Sequence, residues 1–451
     1  MTATLEADAK LTEAKSDGEL PKPFRIKSYS HLLHFPEITD AAPDTTGRSV
    51  DAIIVPTIRS AEQLRSAVRL AAEAGCQLIA LYTENFPAEL PSVLGEMQQG
   101  MATALALGSG VAHRLLDLAA GLPQTVVSSA ALDISRKRNL GLLIGRACGW
   151  TRMLFLDDDI RKVNGEKLRS AAKLLDKYPV VGLQVTKYPD ASVVGHAFRL
   201  TGHGQKPFVS GGSLLVNPQR LNGFFPAVYH EDWLSLINHL KHGEVAVGGT
   251  VGQLPYKPFT TPERARFEEF GDTLAAGLLE LVDAHHGTAS SAAAERDYWC
   301  EATKIHFWQE ILKRRGALLN NIAERLKIMR PLDLTPLESI RAAQQRHEEL
   351  KPEEFASFIK EWVDGLATWR TWLSHLPHAD SVKKALADLG ALHAVRIYET
   401  QPQQAPISPQ QALARGIRWT GGFVGGRGRW ASAEGRQRFG LRSSRLPRRP
   451  R

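Results

Sequence analysis

Three consecutive carboxylates, Asp157-Asp158-Asp159, directly follow the apolar run Met153-Leu154-Phe155-Leu156. Four apolar residues in a row read as a strand covered on both faces, so the acids stand together at its carboxyl end. Like charges crowded beside a low-dielectric core repel; either their pKa values rise or a cation neutralises them. Oxygen-only ligands suit Mg²⁺ or Mn²⁺, and Mg²⁺ typically takes one or two carboxylates plus substrate phosphates. An acidic loop ahead of a helix is the plain alternative. Upstream, Arg136, Lys137 and Arg138 fall in the first turn of a helix predicted over 135–149, where the helix dipole disfavours cations. They require an anion: Asp133 is the structural candidate and a nucleotide diphosphate the functional one. Leu140, Leu143, Ile144 and Ala147 form that helix's core stripe. Gly141, Gly145 and Gly149 give a small face for close packing, and Arg138 and Asn139 then point toward the acids.

Arg138-Asn139-x-Gly141, then Phe155-Leu156-Asp157-Asp158-Asp159, resembles the Arg-Asn-x-Gly and Phe-Leu-Asp-x-Asp pattern of the family 2 glycosyltransferases. Ile54-Val55-Pro56-Thr57 is similar to that family's first strand. Gly211-Gly212 before Ser213-Leu214-Leu215-Val216, Phe224-Phe225-Pro226 and Glu231-Asp232-Trp233 are similar to its acceptor-side segment, so the resemblance spans about residues 51–250. It is the order and spacing together that are specific, since Asp-x-Asp alone is weak. The resemblance implies a GT-A, nucleotide-diphospho-sugar transferase fold and a site assembled from these positions. Asp157 and Asp159 would flank the metal-diphosphate, with Asp159 the direct ligand and His230 or His242 a third one. Pro56, Thr57 and Glu84 would lie beside the nucleoside. Arg138, Asn139, Asp158, Gly211 and Gly212 would complete the nucleotide-sugar site, and Asp232, next to Glu231, would be the general base. Two acids in a helix's first turn are favourable without catalysis, and the two glycines could equally mark a bulge. Two departures matter. Thr83-Glu84-Asn85 replaces the family's Asp-Asp-Gly-Ser string, which leaves the nucleotide open. No Gln-x-x-Arg-Trp follows Asp232, which argues for transfer of a single sugar.

The elements that must position these residues form an α/β pattern. Ala52-Ile53-Ile54-Val55 reads as a buried strand. Ser60 and Gln63 give a capping box, and a helix closed by Gly75 leads into a strand over 77–83. Such a βαβ unit predicts a parallel sheet with its ligand at the strands' carboxyl ends. Further strands are predicted at 125–127, 180–186, 207–216 and 244–247. From about 263 the pattern is helical, with Trp299, Trp308, Trp362, Trp369 and Trp372 read as core rather than sugar platforms. The expected organisation is a disordered arm (1–48), a GT-A catalytic domain with a Rossmann-like mixed sheet (49–262), a helical accessory region (263–400) and a disordered Arg/Gly-rich tail (401–451).

At 451 residues and 43% hydrophobic content, the chain can bury a large core. Its net charge of +8 is misleading, because residues 415–451 carry eleven Arg against Glu434 and so +10, leaving about −2 elsewhere. The tail could touch nucleic acid, but a solvated extension is the favoured reading and nucleic acid is not the expected partner. The three cysteines, Cys76, Cys148 and Cys300, form no metal or disulfide spacing and read as small buried hydrophobes. With no run of about 18 apolar residues and no leader, a cytoplasmic location is expected. The expected partners are a nucleotide-diphosphate sugar and a soluble acceptor, with the helical region a surface for self-association. Competing readings are a retaining enzyme of the glucosyl-phosphoglycerate synthase type and a sugar-phosphate nucleotidyltransferase. The latter expects a Gly-rich loop that Pro56-Thr57-Ile58-Arg59-Ser60 lacks. A trans-prenyltransferase is set aside because Arg161 breaks its Asp-Asp-x-x-Asp pattern.

Overall fold

The apolar runs around residues 52 and 153 become neighbouring strands. In a computed structural model that describes residues 49–98, 100–108, 116, 129–186, 192–203, 209–285, 298–329, 333–391 and 395–400, Ile54 of one pairs with Phe155 of the other in parallel. In chain order the first elements are β1 (Ala52–Pro56), α1 (Arg65–Ala74), β2 (Gln77–Tyr82), α2 (Leu90–Leu94), β3 (Ala102–Leu107) and α3 (Ser129–Ala147). Next come β4 (Met153–Leu156), β5 (Ile160–Arg161), α4 (Gly165–Lys173), β6 (Val180–Thr186), α5 (Val193–Leu200), β7 (Ser213–Val216), α6 (Glu231–Lys241) and β8 (Val245–Gln253). Five helices and a strand follow: α7 (Pro262–His285), α8 (Ile305–Met329), α9 (Thr335–Glu349), α10 (Pro352–His375), α11 (Val382–Asp388) and β9 (Val395–Glu399).

The strands form one mixed sheet in the order β5-β8-β6-β7-β4-β1-β2-β3-β9. β1 pairs in parallel with β2 on one side and β4 on the other, so the winding reverses between β1 and β4. Ligands of open α/β sheets bind outside the carboxyl ends of the strands at such a reversal. Thr57 and Asp157 stand there, each one residue past its strand. Both faces of the sheet are covered. Ile54 packs with Leu140, Leu143 and Ile144 of α3, whereas Ile53 and Val55 pack with Ala67 and Val68 of α1 and Leu168 of α4. Gly141 makes the α3 contact possible, because a Cβ there would lie 3.0 Å from Ile54 Cγ2 and 3.1 Å from Phe155.

The C-terminal helices extend the same apolar cluster. Trp308, Trp362 and Trp369 are fully buried, and Trp369 meets Phe224 at 5.7 Å between ring centroids. Trp299 is buried and Trp372 partly so. Several details differ from the sequence expectation. α3 starts at Ser129, six residues early, so Arg136, Lys137 and Arg138 are well inside the helix rather than in its first turn. Ser60 caps nothing with its side chain, and a 3₁₀ turn over Ala61–Leu64 precedes α1 instead. β9 lies within the stretch expected to be helical, although Val395, Ile397 and Tyr398 favour a strand, and it pairs antiparallel with β3, whose Ala-rich sequence carries little strand signal. Only Ser213–Val216 of the expected 207–216 strand is extended, and 204–208 lie outside the described residues. So do the arm 1–48, the 125–127 strand and the tail 401–451. Of the cysteines, only Cys76 is buried, with Cys148 half-buried and Cys300 exposed. No helix among the described residues is long and apolar enough to cross a membrane.

α7 passes so close to the segment before α6 that a Cβ on Gly271 would lie 2.8 Å from the carbonyl carbon of Tyr229 and closer still to its oxygen. Backbone cannot swing aside as a side chain does. Gly271→Ala should therefore lower stability by about 1–3 kcal/mol in urea unfolding, and an unchanged midpoint would refute this packing.

Candidate functional site

Arg138 lies at the centre of the site. Its side chain is buried, and a guanidinium keeps its charge, so acids must come to it. Nη1 donates to Glu231 at the start of α6, and Nη2 donates to Asp157 Oδ1 at 3.2 Å and Oδ2 at 3.4 Å. Burial works against its charge, but Asp157, Glu231 and Asp232 more than offset it and raise its pKa. Ser210-Gly211-Gly212 runs past these groups at the entrance to β7, which pairs antiparallel with β4. A Cβ on Gly211 would lie 2.7 Å from Arg138 Cζ, and one on Gly212 would lie 3.0 Å from Asp157 Oδ2. A side chain at Gly211 would displace the Arg138 guanidinium, and one at Gly212 would press on the Asp157 carboxylate. The N–H of Asp157 donates to the Gly212 carbonyl at 2.8 Å, fixing the two segments together.

The expected base, Asp232, is held by backbone. Its Oδ2 accepts from the Gly211 N–H at 2.6 Å and its Oδ1 from the Trp233 N–H at 2.8 Å. Glu231 differs: burial pushes its carboxyl up to about 7 against the pull of Arg138, with Asp232 and Asp157 adding to the rise. A carboxylate tuned near neutrality is suited to proton transfer. These groups border a pocket of about 270 Å³ that Ser210, Arg264 and Phe267 help to line.

A second group of contacts stitches the ends of β1, β2 and β4. Thr57 Oγ1 donates to Asp158 Oδ2 at 2.5 Å, and Arg59 Nη1 donates to Asp158 Oδ1 at 2.7 Å. Buried Lys137 donates to the Thr57 carbonyl at 3.0 Å, to Thr83 Oγ1 at 2.9 Å and to Asp133 Oδ2 at 2.6 Å. Asp133 thus supplies the anion that the basic run requires. Asp159 is more lightly engaged, with Gln253 Nε2 at 3.4 Å and Arg59 at 3.6 Å. Burial raises the carboxyls of Asp157 and Asp158, and Asp159 adds to both. Five carboxylates, those of Asp157, Asp158, Asp159, Glu231 and Asp232, lie around the directly paired guanidiniums of Arg59 and Arg138, and Lys137 and Arg161 add positive charge beside Asp158.

Several expected residues have other roles or places here. Asn139 is fully buried and clamps Phe225, its Nδ2 donating to the Phe225 carbonyl and its Oδ1 accepting from the Phe225 N–H, both at 2.8 Å. Its amide is engaged in holding the fold. Pro56 ends buried β1, whereas Glu84 is exposed beyond β2 with its carbonyl accepting from Arg396. His230 borders the pocket but commits Nε2 to Asp272 at 2.6 Å, and Asp272 also pairs with Arg315 at 2.9 Å. Burial opposes the His230 imidazolium, but Asp272 outweighs it and raises the pKa. His242 sits exposed at the opposite end of α6. Among the described residues no three His, Cys, Asp or Glu side chains gather as a metal cage, so Asp157, Asp159 and His230 do not converge. Arg138 occupies Asp157 and Asp272 occupies His230. A cation bound here would need Asp159 together with ligand oxygens, the mode in which Mg²⁺ uses one or two carboxylates plus phosphates.

Sequence reading missed Ser210, Arg59, Arg264 and Gln253. Arg59 could have been found from its place just past Thr57, while the other three are assembled only by the fold. The geometry defines a class: a mixed α/β protein with a crevice bordered by acids at the reversal of its sheet. No family model matches the chain, and no curated protein matches it. Its function is therefore read from the site.

Asn139→Ala would strand both polar groups of Phe225 and should cost about 1–3 kcal/mol in chemical denaturation. Undiminished stability would contradict the clamp.

Proposed function

We propose that the chain is a metal-dependent, non-processive glycosyltransferase of the GT-A type, transferring a sugar from a nucleotide-diphosphate donor to a soluble acceptor with inversion. The observation that carries this reading is the cluster of five carboxylates at the reversal of the sheet, beside a small pocket, with Asp159 only lightly engaged. Clustered acids favour a cation, and a cation brings a diphosphate. Asp159, the most lightly engaged of the triplet, would hold Mg²⁺ or Mn²⁺, with Asp157 next to it at the pocket wall. The bound cation would offset charge on the departing nucleoside diphosphate. Thr57 and the end of β2 would lie beside the nucleoside. Glu231 takes the acceptor's proton, a role that its raised pKa fits better than the backbone-bound Asp232 does. Asp232 positions Gly211 and the start of α6.

The backbone bonds of Asp232 also suit the retaining reading, in which Glu231 and Asp232 only position the acceptor. The anomeric configuration of the product, read by NMR, separates the two.

Asp159→Asn and chelation by EDTA should each abolish donor hydrolysis and transfer; normal turnover under either would refute the proposal. Glu231 must be deprotonated to act as a base. kcat/KM should therefore rise as pH increases through about 7 and level off above it. Glu231→Gln should lower kcat by roughly 10²–10⁴-fold and remove that limb of the profile. A flat wild-type profile between pH 5.5 and 8.5 would contradict the assignment.

A further inference from the structure

The loop after β2 contains no helix or strand, so side chains from elsewhere must hold it. Lys137 ties its first residue, Thr83, to the Thr57 carbonyl, which sets the loop beside the end of β1 at the crevice. Farther along, the C-terminal strand holds it. Arg396 of β9, in register with Ala106 of β3, donates through Nη2 to the Glu84 carbonyl and, at 2.6 Å, to Asn85 Oδ1. The same guanidinium lies 6.0 Å from the ring centre of Phe86, and Phe86 meets Tyr82 at 5.9 Å and Tyr398 of β9 at 6.5 Å between ring centroids. A residue 312 positions away in the chain therefore fixes the backbone of Glu84. Arg396 bonds the carbonyl of Glu84 and not its carboxylate, which is exposed and makes no hydrogen bond or ion pair among the described residues.

We infer that Arg396 is a positioning residue for nucleotide recognition: by fixing the loop it holds the Glu84 carboxylate in place for the nucleoside, so the C-terminal strand forms part of the donor site. The inference rests on the glycosyltransferase reading above. An ionised carboxylate only accepts hydrogen bonds and repels phosphate, so Glu84 suits the N–H groups of a base and not the diphosphate. Uracil, thymine and guanine each carry a ring N–H of this kind. The planar fork of a guanidinium bridges a carbonyl and an amide oxygen while its face lies against an aromatic ring, a combination that an ammonium does not reproduce. A loop ordered before the nucleotide arrives also spares binding the entropy of ordering it.

The test is calorimetry in Mn²⁺ on the full-length wild type, Arg396→Ala, Glu84→Ala and the double variant. The probes are uridine, guanosine and thymidine diphosphates and inorganic pyrophosphate. Glu84→Ala removes the carboxylate but keeps the carbonyl that Arg396 holds. For the nucleotide that the wild type binds best, each single variant should lose roughly 2- to 10-fold in affinity, the worth of about one hydrogen bond. The double variant should lose no more than Glu84→Ala, and pyrophosphate affinity should be the same in all four proteins. Three results would each overturn the inference alone: an equal loss of pyrophosphate affinity in Arg396→Ala, a loss from Arg396→Ala that persists in the Glu84→Ala background, or nucleotide affinity unchanged in Arg396→Ala. Wild-type binding of nucleotides no tighter than pyrophosphate would do the same. If neither nucleotide nor pyrophosphate binds the wild type, the glycosyltransferase reading itself fails, and the inference with it.

Discussion

The site depends on a buried positive charge. Arg138 sits inside α3, where it cannot be left unpaired, and Asp157 and Glu231 come to it from the end of β4 and the start of α6. Removing one partner of such a buried cluster leaves an uncompensated charge, which is strongly destabilising. The requirement therefore reaches into the surrounding sequence. A side chain at Gly211 would displace the Arg138 guanidinium and one at Gly212 would press on the Asp157 carboxylate, and Asp232 must hold the Gly211 N–H to keep that strand entrance in place.

A similar arrangement operates across the reversal of the sheet. Lys137, the neighbour of Arg138, faces the other way and ties the Thr57 carbonyl to Thr83 and Asp133. Burial lowers its pKa while Asp133 supports its charge. Arg59 and Thr57 hold Asp158. Asp158 is thereby a strut, and Asp159 is the acid with capacity to spare. The two adjacent cations of α3 brace the two halves of the crevice, and the carboxylates still outnumber the guanidiniums paired with them.

The framework was legible because buried parallel strands leave continuous apolar runs: 52–55, 77–83, 153–156 and 180–186 all fall within a residue or so of observed strands. β3 and β9 were not legible. Ala102–Leu107 is Ala-rich and a strand because of its partners rather than its composition, whereas Val395–Glu399 has strand-favouring residues but is short and follows a long helical stretch. At the site, sequence identified Arg138, Asp157, Gly211, Gly212 and Glu231, which the fold brings together. It did not show that the Asn139 amide and the Asp232 carboxylate are engaged by backbone, because hydrogen bonds with residues up to 86 positions away leave no local signature. The basic run on α3 drew attention for an incorrect reason, since the helix begins earlier than its pattern suggests. The inference that those cations need acids nevertheless holds, with Asp133, Asp157 and Glu231 as the acids.

If the carboxylates at the strand ends exist to hold a diphosphate through a cation, metal and nucleotide must bind together. Titration of Mn²⁺ followed by electron paramagnetic resonance, with and without a nucleoside diphosphate, measures this directly. With Asp157 and Asp158 already paired to arginines, Mn²⁺ alone should bind weakly, and the nucleotide should tighten it by at least tenfold beyond its affinity for free nucleotide. Equal Mn²⁺ binding in both conditions, or none in either, would contradict the account.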